Sequence, residues 1–452
     1  MTKQARIHII NAQLVTPEAE FTGHMTIHEG RIVSLREKYP SLDTGEVVDV
    51  QGDYVFPAMI DAHVHFNEPG RTHWEGFEYG SRAALAGGVG MVCDMPLNSS
   101  PPTVTPEAFG QKLSCVRQSS RTQFGLWAGI IGPDPDAWQA LWALGAIGFK
   151  FFMADSGLEE FPPIDDDTMK QALNFSARTG ALLAVHAEDA VCMAHNQAPL
   201  VGREWTASDY LAVHAPTVES VAVDRLLFWA RRLGGRVHIV HASLAGTVEQ
   251  AIASRQLGVD VSVETCPHYL TYTDQDFERR GALLKCAPPL RSRQEVDRLW
   301  ECVAQGQIDW IASDHSPSPP SLKTDLNMAN VWGGVSGVQS TVEVVLAEGH
   351  YKRNLPMPLL AKLLGYNVAR RLGLGPRGAL LPGYWADLAV IGCQLPRRLN
   401  RAEMYDRHQH NPYQDVFLPC QVHETWIKGQ RAYQNGTWSS CAVDWVAGPG
   451  RV

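Results

Sequence analysis

The chain has 452 residues, of which 45% are hydrophobic and 19% charged, and its formal net charge is -9. That balance describes a globular protein, and the length suits one large α/β barrel with a smaller unit beside it. The acidic balance, without any Lys/Arg run of the kind that tracks phosphates, argues against nucleic acid or an anionic membrane surface as a partner.

The nine cysteines are scattered and include no CxxC pair, the pattern of a reducing cytosol rather than a disulfide framework. The N-terminus runs directly into an alternating strand pattern without a signal-peptide core. No stretch approaches the roughly 20 apolar residues of a membrane span. A soluble, cytoplasmic protein is expected.

Residues 7–10, 25–28, 31–35 and 47–50 read as short strands, with Glu29-Gly30 as a hairpin turn. From about 57 to 375 the rhythm becomes strand, loop, helix. Strand-like runs end near Ala62, Asp94, Ile130, Phe152, His186, His241, Thr265 and Asp314, with helix-like stretches such as 75–86, 166–179, 219–233, 246–256 and 293–304 between them. Eight such units predict an α/β fold, a closed parallel (β/α)8 TIM barrel whose chemistry gathers at the carboxyl ends of its strands.

Residues 340–348 and 357–372 then read as helical, and strand pattern returns at 386–391, 423–428 and 431–433, with Gly429-Gln430 as a turn. The terminal segments, 1–56 and 376–452, are expected to meet in one small discontinuous β domain beside the 57–375 barrel.

The block Asp61-Ala62-His63-Val64-His65-Phe66-Asn67-Glu68-Pro69-Gly70 follows an apolar run. Alternation along a strand points His63 and His65 the same way at its end. Elsewhere Lys150 shares a face with Gly148 and Phe152, and His186 follows Leu182 and Ala184. His241 follows Val237 and Ile239, and Asp314 follows Trp310 and Ala312. Taken singly, His63 and His65 have a bland reading as part of a solvated loop, His186 and His241 as hydrogen-bonded core residues, Lys150 as a snorkelling surface lysine and Asp314 as a helix cap. Six polar groups at the ends of apolar strands, in one ordered set, favour a site.

Four imidazoles and a carboxylate suit zinc or a similar divalent ion. Two ions need a bridge, and an ammonium cannot ligate because it has no lone pair. A lysine held neutral beside two cations can add carbon dioxide to form a carbamate, whose two oxygens span both.

The order HxH, strand-end Lys, His, His, Asp resembles the cyclic amidohydrolases of the amidohydrolase superfamily, metal-dependent barrel enzymes with a small β-sandwich. They include dihydroorotases, dihydropyrimidinases/hydantoinases and allantoinases. The block at 378–388 also resembles that group's return to the sandwich, so the likeness spans essentially the whole chain. The resemblance implies two divalent ions per chain, zinc first, with iron, cobalt or manganese as alternatives. One ion would take His63, His65, Lys150 as N6-carboxylysine, and Asp314; the other would take Lys150, His186 and His241. Asp314 would also be the catalytic base, moving a proton from the attacking water to the departing ring nitrogen. A homotetramer is implied as well.

Within the group, the blocks at 68–88, 94–103, 264–270, 285–291, 313–320 and 332–340 look most like the allantoinase branch. Dihydroorotases carry an arginine two residues after the second histidine, for a substrate carboxylate, where this chain has Asn67. Hydantoinases and dihydropyrimidinases carry a tyrosine where this chain has Asp155. Both differences suit allantoin, a neutral ring with a polar ureido arm. Gly90-Met91 and Ala287 depart from the usual Thr-Thr and Ser. Asn98, Ser316 and the backbone of Gly333 and Gly334 are candidate substrate contacts, with plain loop structure as the alternative reading. Asp61 and Glu188 are candidates to orient the imidazoles, with plain loop hydrogen bonding as the alternative reading. The competing readings are a hydantoinase/dihydropyrimidinase and a non-catalytic dihydropyrimidinase-like scaffold. Such a scaffold would have lost metal ligands, whereas all six positions here are filled.

Overall fold

The computed structural model describes residues 6–38, 44–393 and 396–451, so residues 1–5 of the N-terminal reading lie outside it. Eight parallel strand positions succeed one another: Met59–Val64, Val89–Asp94, Gln123–Leu126 continued by Ala128–Gly129, Phe149–Phe152, Leu182–His186, Arg236–Ile239, Asp260–Thr265 and Trp310–Ile311. Parallel pairing links neighbours on either side of Trp127. The ring closes where Val64 bridges His315 and the His65 N–H donates to the His315 carbonyl at 2.7 Å. Both faces of these strands are covered, so they read as continuous apolar runs; all six residues of Val89–Asp94 are buried.

The helices obey local end signals. Asp166–Thr179 begins where Asp165 accepts the Thr168 N–H at 2.8 Å and stops at Gly180, which takes φ 77°. Arg293–Ala304 is capped by Ser292. Pro216–Leu233 starts three residues before the apolar pattern because a proline opens its first turn. Beyond the eighth strand, Thr341–Val345 and Met357–Ala361 each continue into π-helical turns, Leu346–Tyr351 and Lys362–Tyr366.

Strands from both ends of the chain form one nine-stranded sheet, in which Tyr54–Pro57 from the N-terminal side pairs antiparallel with Leu388–Gly392 from the C-terminal side. Its core includes Ile9, Leu14, Met25, Ile27, Val55, Leu388, Val390 and Trp426. The expected turn at Glu29-Gly30 has both residues at positive φ, 51° and 74°. The second hairpin differs from expectation by one residue. Ile427 pairs with Gln430, so the turn is Lys428-Gly429 and Gln430 already belongs to the strand. The two turns abut: a Cβ on Gly30 would lie 2.8 Å from the Lys428 carbonyl oxygen.

Asp387 fastens this sheet to the barrel. Its carbonyl accepts the Ala58 N–H at 3.0 Å and its carboxylate accepts from Gln123 at 2.9 Å. Among the described residues, no helix is long and apolar enough to cross a membrane.

Candidate metal centre and substrate cavity

At the carboxyl ends of the barrel strands lies a cavity of about 430 Å³, lined by His63, His65, Lys150, His186, His241 and Asp314 and also by Asn98, Ser316, Gly333 and Gly334. His63 Nε2 and His65 Nε2 stand 3.3 and 3.5 Å from Asp314 Oδ1. His186 Nδ1 stands 3.1 Å from His241 Nε2, and the His63 and His241 rings are 5.5 Å apart at their centres. Lys150 Nζ lies over the Phe152 ring, which stacks on His186.

Two of these residues reach the cavity in a way that strand alternation did not anticipate. The sixth strand ends at Ile239 and the eighth at Ile311, short of His241 and Asp314. Both residues occupy the left-handed region, at φ 39° and 46°. Left-handed backbone is costly for residues with a Cβ, and where it persists in a packed site it commonly serves function.

The imidazoles are oriented by buried carboxylates. Glu264, on the seventh strand, accepts from His63 Nδ1 at 2.6 Å, His238 Nε2 at 3.1 Å, Trp310 Nε1 at 2.6 Å and the His241 backbone N–H at 3.2 Å. Glu188 accepts from His186 Nε2 at 2.8 Å and His214 Nδ1 at 2.7 Å. These bonds leave His63 Nε2 and His186 Nδ1 as the lone-pair atoms facing the cavity. Of the two candidates, Glu188 therefore holds an imidazole, whereas Asp61 holds backbone, accepting the His63 and Ser313 N–H groups at 3.3 and 3.1 Å. Strand alternation assigns Glu264 no role, although an acid beside Val263 in the strand-like run 261–265 is a signal that it has buried partners.

Electrostatics favour a ligating form at His63, Lys150, His186, His241 and Asp314. Burial lowers the pKa of His63, His186 and His241, leaving neutral imidazoles. Burial pushes Asp314 the other way, but the neighbouring imidazoles outweigh it and hold the carboxylate down at about 2. Desolvation draws Lys150 down to about 7, so an uncharged amine able to react with carbon dioxide is accessible near neutrality.

This donor set fits divalent metal. His63, His65 and Asp314 each offer an atom within 4.8 Å of the others. Nδ1 of His65 and of His241 is buried without a hydrogen-bond partner in the described structure. Cys266, His268 and Asp314 form a second group of the same span. Burial holds the Cys266 thiol well above its ordinary pKa, so it is a poor ligand beside the imidazole set.

On the substrate side, Asn98 Nδ2 lies 3.5 Å from Ser316 Oγ. A Cβ on Gly334 would stand 2.3 Å from the Ser316 carbonyl oxygen, whereas Gly333 has open space around it. Asn67 is buried and donates to the Pro317 carbonyl at 3.2 Å, which makes it a brace for that loop. Asp155 and Ala287 both line the cavity.

The sequence pattern of the amidohydrolase family matches residues 54–432. The chain is 42% identical over 430 residues to an allantoinase from Deinococcus radiodurans, covering 95% of each chain. It is 41% identical over 400 residues to an allantoinase from Rubrobacter xylanophilus, covering 88% of each. Among solved structures, an L-hydantoinase (dihydropyrimidinase) from Arthrobacter aurescens superposes with a TM-score of 0.92 at 25% identity, over 96% of this chain and 98% of that one. With a family pattern that spans most of its length and relatives that match over 88% and 95% of it, this chain belongs to the amidohydrolase family.

Proposed function

We propose that the chain hydrolyses the hydantoin ring amide of allantoin to give allantoate, in the breakdown of allantoin derived from purines. The observation that carries this reading is the 42% identity to an allantoinase across 95% of both chains. The hydantoinase alternative has lower identity in its favour, 25%, and a cavity in which Asp155 rather than a phenol lines the wall. The scaffold alternative is disfavoured by the full set of six donor groups around that cavity.

In this proposal His63, His65, Lys150 and Asp314 hold one divalent ion, and Lys150, His186 and His241 hold the other; zinc is the first choice, then iron, cobalt or manganese. The bound pair supplies polarisation of the ring carbonyl and a lowered pKa for the attacking water. Lys150, as its carbamate, would contribute two oxygens that share one negative charge. Asp314, ionised through neutral pH, receives the water proton and delivers it to the ring nitrogen as the amide bond breaks. Glu264 and Glu188 keep the imidazoles in one tautomer and orientation through that cycle. Asn98, Ser316 and the backbone of Gly333 and Gly334 contact the ring and its arm.

The division into a β unit from 1–56 and 376–452 and a catalytic barrel from 57–375 belongs to the same proposal, as do a cytoplasmic location and a homotetrameric assembly. Light scattering in solution tests the assembly. The deciding experiment assays allantoin, hydantoin and dihydrouracil side by side on one preparation of known metal content. Allantoin should be opened fastest, with close to two ions per chain. Faster opening of hydantoin or dihydrouracil, or activity in metal-free protein, would overturn the reading.

A further inference from the structure

Buried Lys285 and half-buried Lys323 stand behind the loop that walls one side of the cavity. Lys285 Nζ donates to the carbonyls of Met328 at 2.6 Å and Val331 at 2.5 Å. Lys323 Nζ donates to those of Ala282 at 3.1 Å and Gly334 at 2.8 Å. The Gly334 N–H in turn donates to the Lys285 carbonyl at 2.8 Å. The cavity-lining stretch from Ala329 to Gly334 is thus clipped from both sides.

Only Lys285 of the pair also faces the cavity, 4.6 Å from the centre of the Tyr210 ring on the same wall. An ammonium has three N–H donors. Two are used on loop carbonyls, and among the described residues no further acceptor engages the third. No carboxylate pairs with either ammonium among the described residues, and the bonds just given for both all run to backbone carbonyls. Desolvation accordingly draws Lys285 down to about 8 and Lys323 to about 7. A buried cation with a spare donor and no counter-ion favours a ligand bearing an electron-rich oxygen. None of these contacts of Lys285 is to one of the six groups of the proposed metal centre.

We propose that Lys285 is a specificity-determining residue, whose third N–H donates to the carbonyl oxygen of the polar arm on the cyclic amide. This rests on the reading that the substrate is allantoin, whose ureido arm carries such an oxygen. Lys323 serves the loop alone.

The test compares kcat/KM on allantoin with kcat/KM on unsubstituted hydantoin, using metal-loaded protein. Lys285→Met should lower the allantoin-to-hydantoin ratio about 10- to 100-fold, the range of a lost hydrogen bond to a charged group. Lys323→Met should slow both substrates by the same factor and leave the ratio within about threefold, the residue having only a clip to lose. Lys285→Arg, which keeps a charged donor, should restore most of the ratio. An unchanged ratio in Lys285→Met would assign Lys285 to the clip and overturn the proposal. Should Lys285→Met fail to fold, the wild-type enzyme still decides. A hydantoin with an alkyl arm of matching length should be opened more slowly than allantoin by a similar factor, and equal rates would overturn the proposal. If wild-type enzyme opens hydantoin but not allantoin, the substrate reading itself falls, a result distinct from an unchanged ratio in an allantoin-active enzyme.

Discussion

Glu264 Oε1 lies 2.6 Å from His63 Nδ1, and the same carboxylate reaches His238, Trp310 and the backbone of His241. One buried anion on the seventh strand thereby fixes groups contributed by the first, sixth and eighth. Burial works against its ionisation, but His63 and His238 outweigh that cost and hold its pKa below the ordinary carboxylate range. Its stabilising contribution is therefore complete above the ordinary value and lost as pH falls through the depressed one. Glu264→Gln should weaken metal binding about 10- to 100-fold by releasing the His63 tautomer. Titration against a competing chelator measures this.

Lys150→Ala should remove the bridge between the two ions, taking metal content and activity down together. Short carboxylic acids are expected to restore part of both, because a carboxylate has the same pair of oxygens as a carbamate. Metal analysis of the variant with and without added acetate checks this, and full activity in Lys150→Ala would end the two-ion scheme.

Asp314→Asn should separate catalysis from binding. The amide keeps an oxygen near His63 and His65 but cannot accept a proton, so kcat should fall by about 10²- to 10⁴-fold while KM changes little. Steady-state kinetics at matched metal occupancy distinguishes this from simple loss of an ion.

Glu75 predicts a pH effect on stability of opposite sign to Glu264. It is fully buried, and burial raises its pKa from 4.5 to about 8, with the Arg407 backbone N–H and charge only partly opposing. Between those values the folded protein retains a proton that the unfolded chain has released, so stability should decline as pH rises from 4.5 toward 8. The interval corresponds to a ceiling of about 5 kcal/mol. Glu75→Gln should flatten that decline, as read by denaturant unfolding at pH 5 and pH 8.

Much of this architecture was legible because strand periodicity is short and local. A polar residue at or near the end of an apolar run, as at His186 or Lys150, announces a side chain at a barrel mouth. What could not be read was anything set by distant pairing. Glu264 meets His63 across 201 positions of sequence, and the Lys428-Gly429 turn is fixed by the Ile427 to Gln430 register rather than by composition. His241 and Asp314 reach the cavity from left-handed backbone beyond their strands, which alternation alone does not foresee. The Lys285 clip depends on carbonyls 43 and 46 residues away, and backbone carbonyls leave no mark in a sequence.

The ring of strands closes through His315, which bridges Val64 on one side and Val335 on the other. His63, His65 and Asp314 straddle that junction. An ion gripped by all three would act as a rivet between the first stave of the barrel and the last. Chelation should then speed amide hydrogen exchange at 63–65 and 313–316 ahead of the middle staves, so that loss of turnover and loosening of the ring become one event seen by two methods.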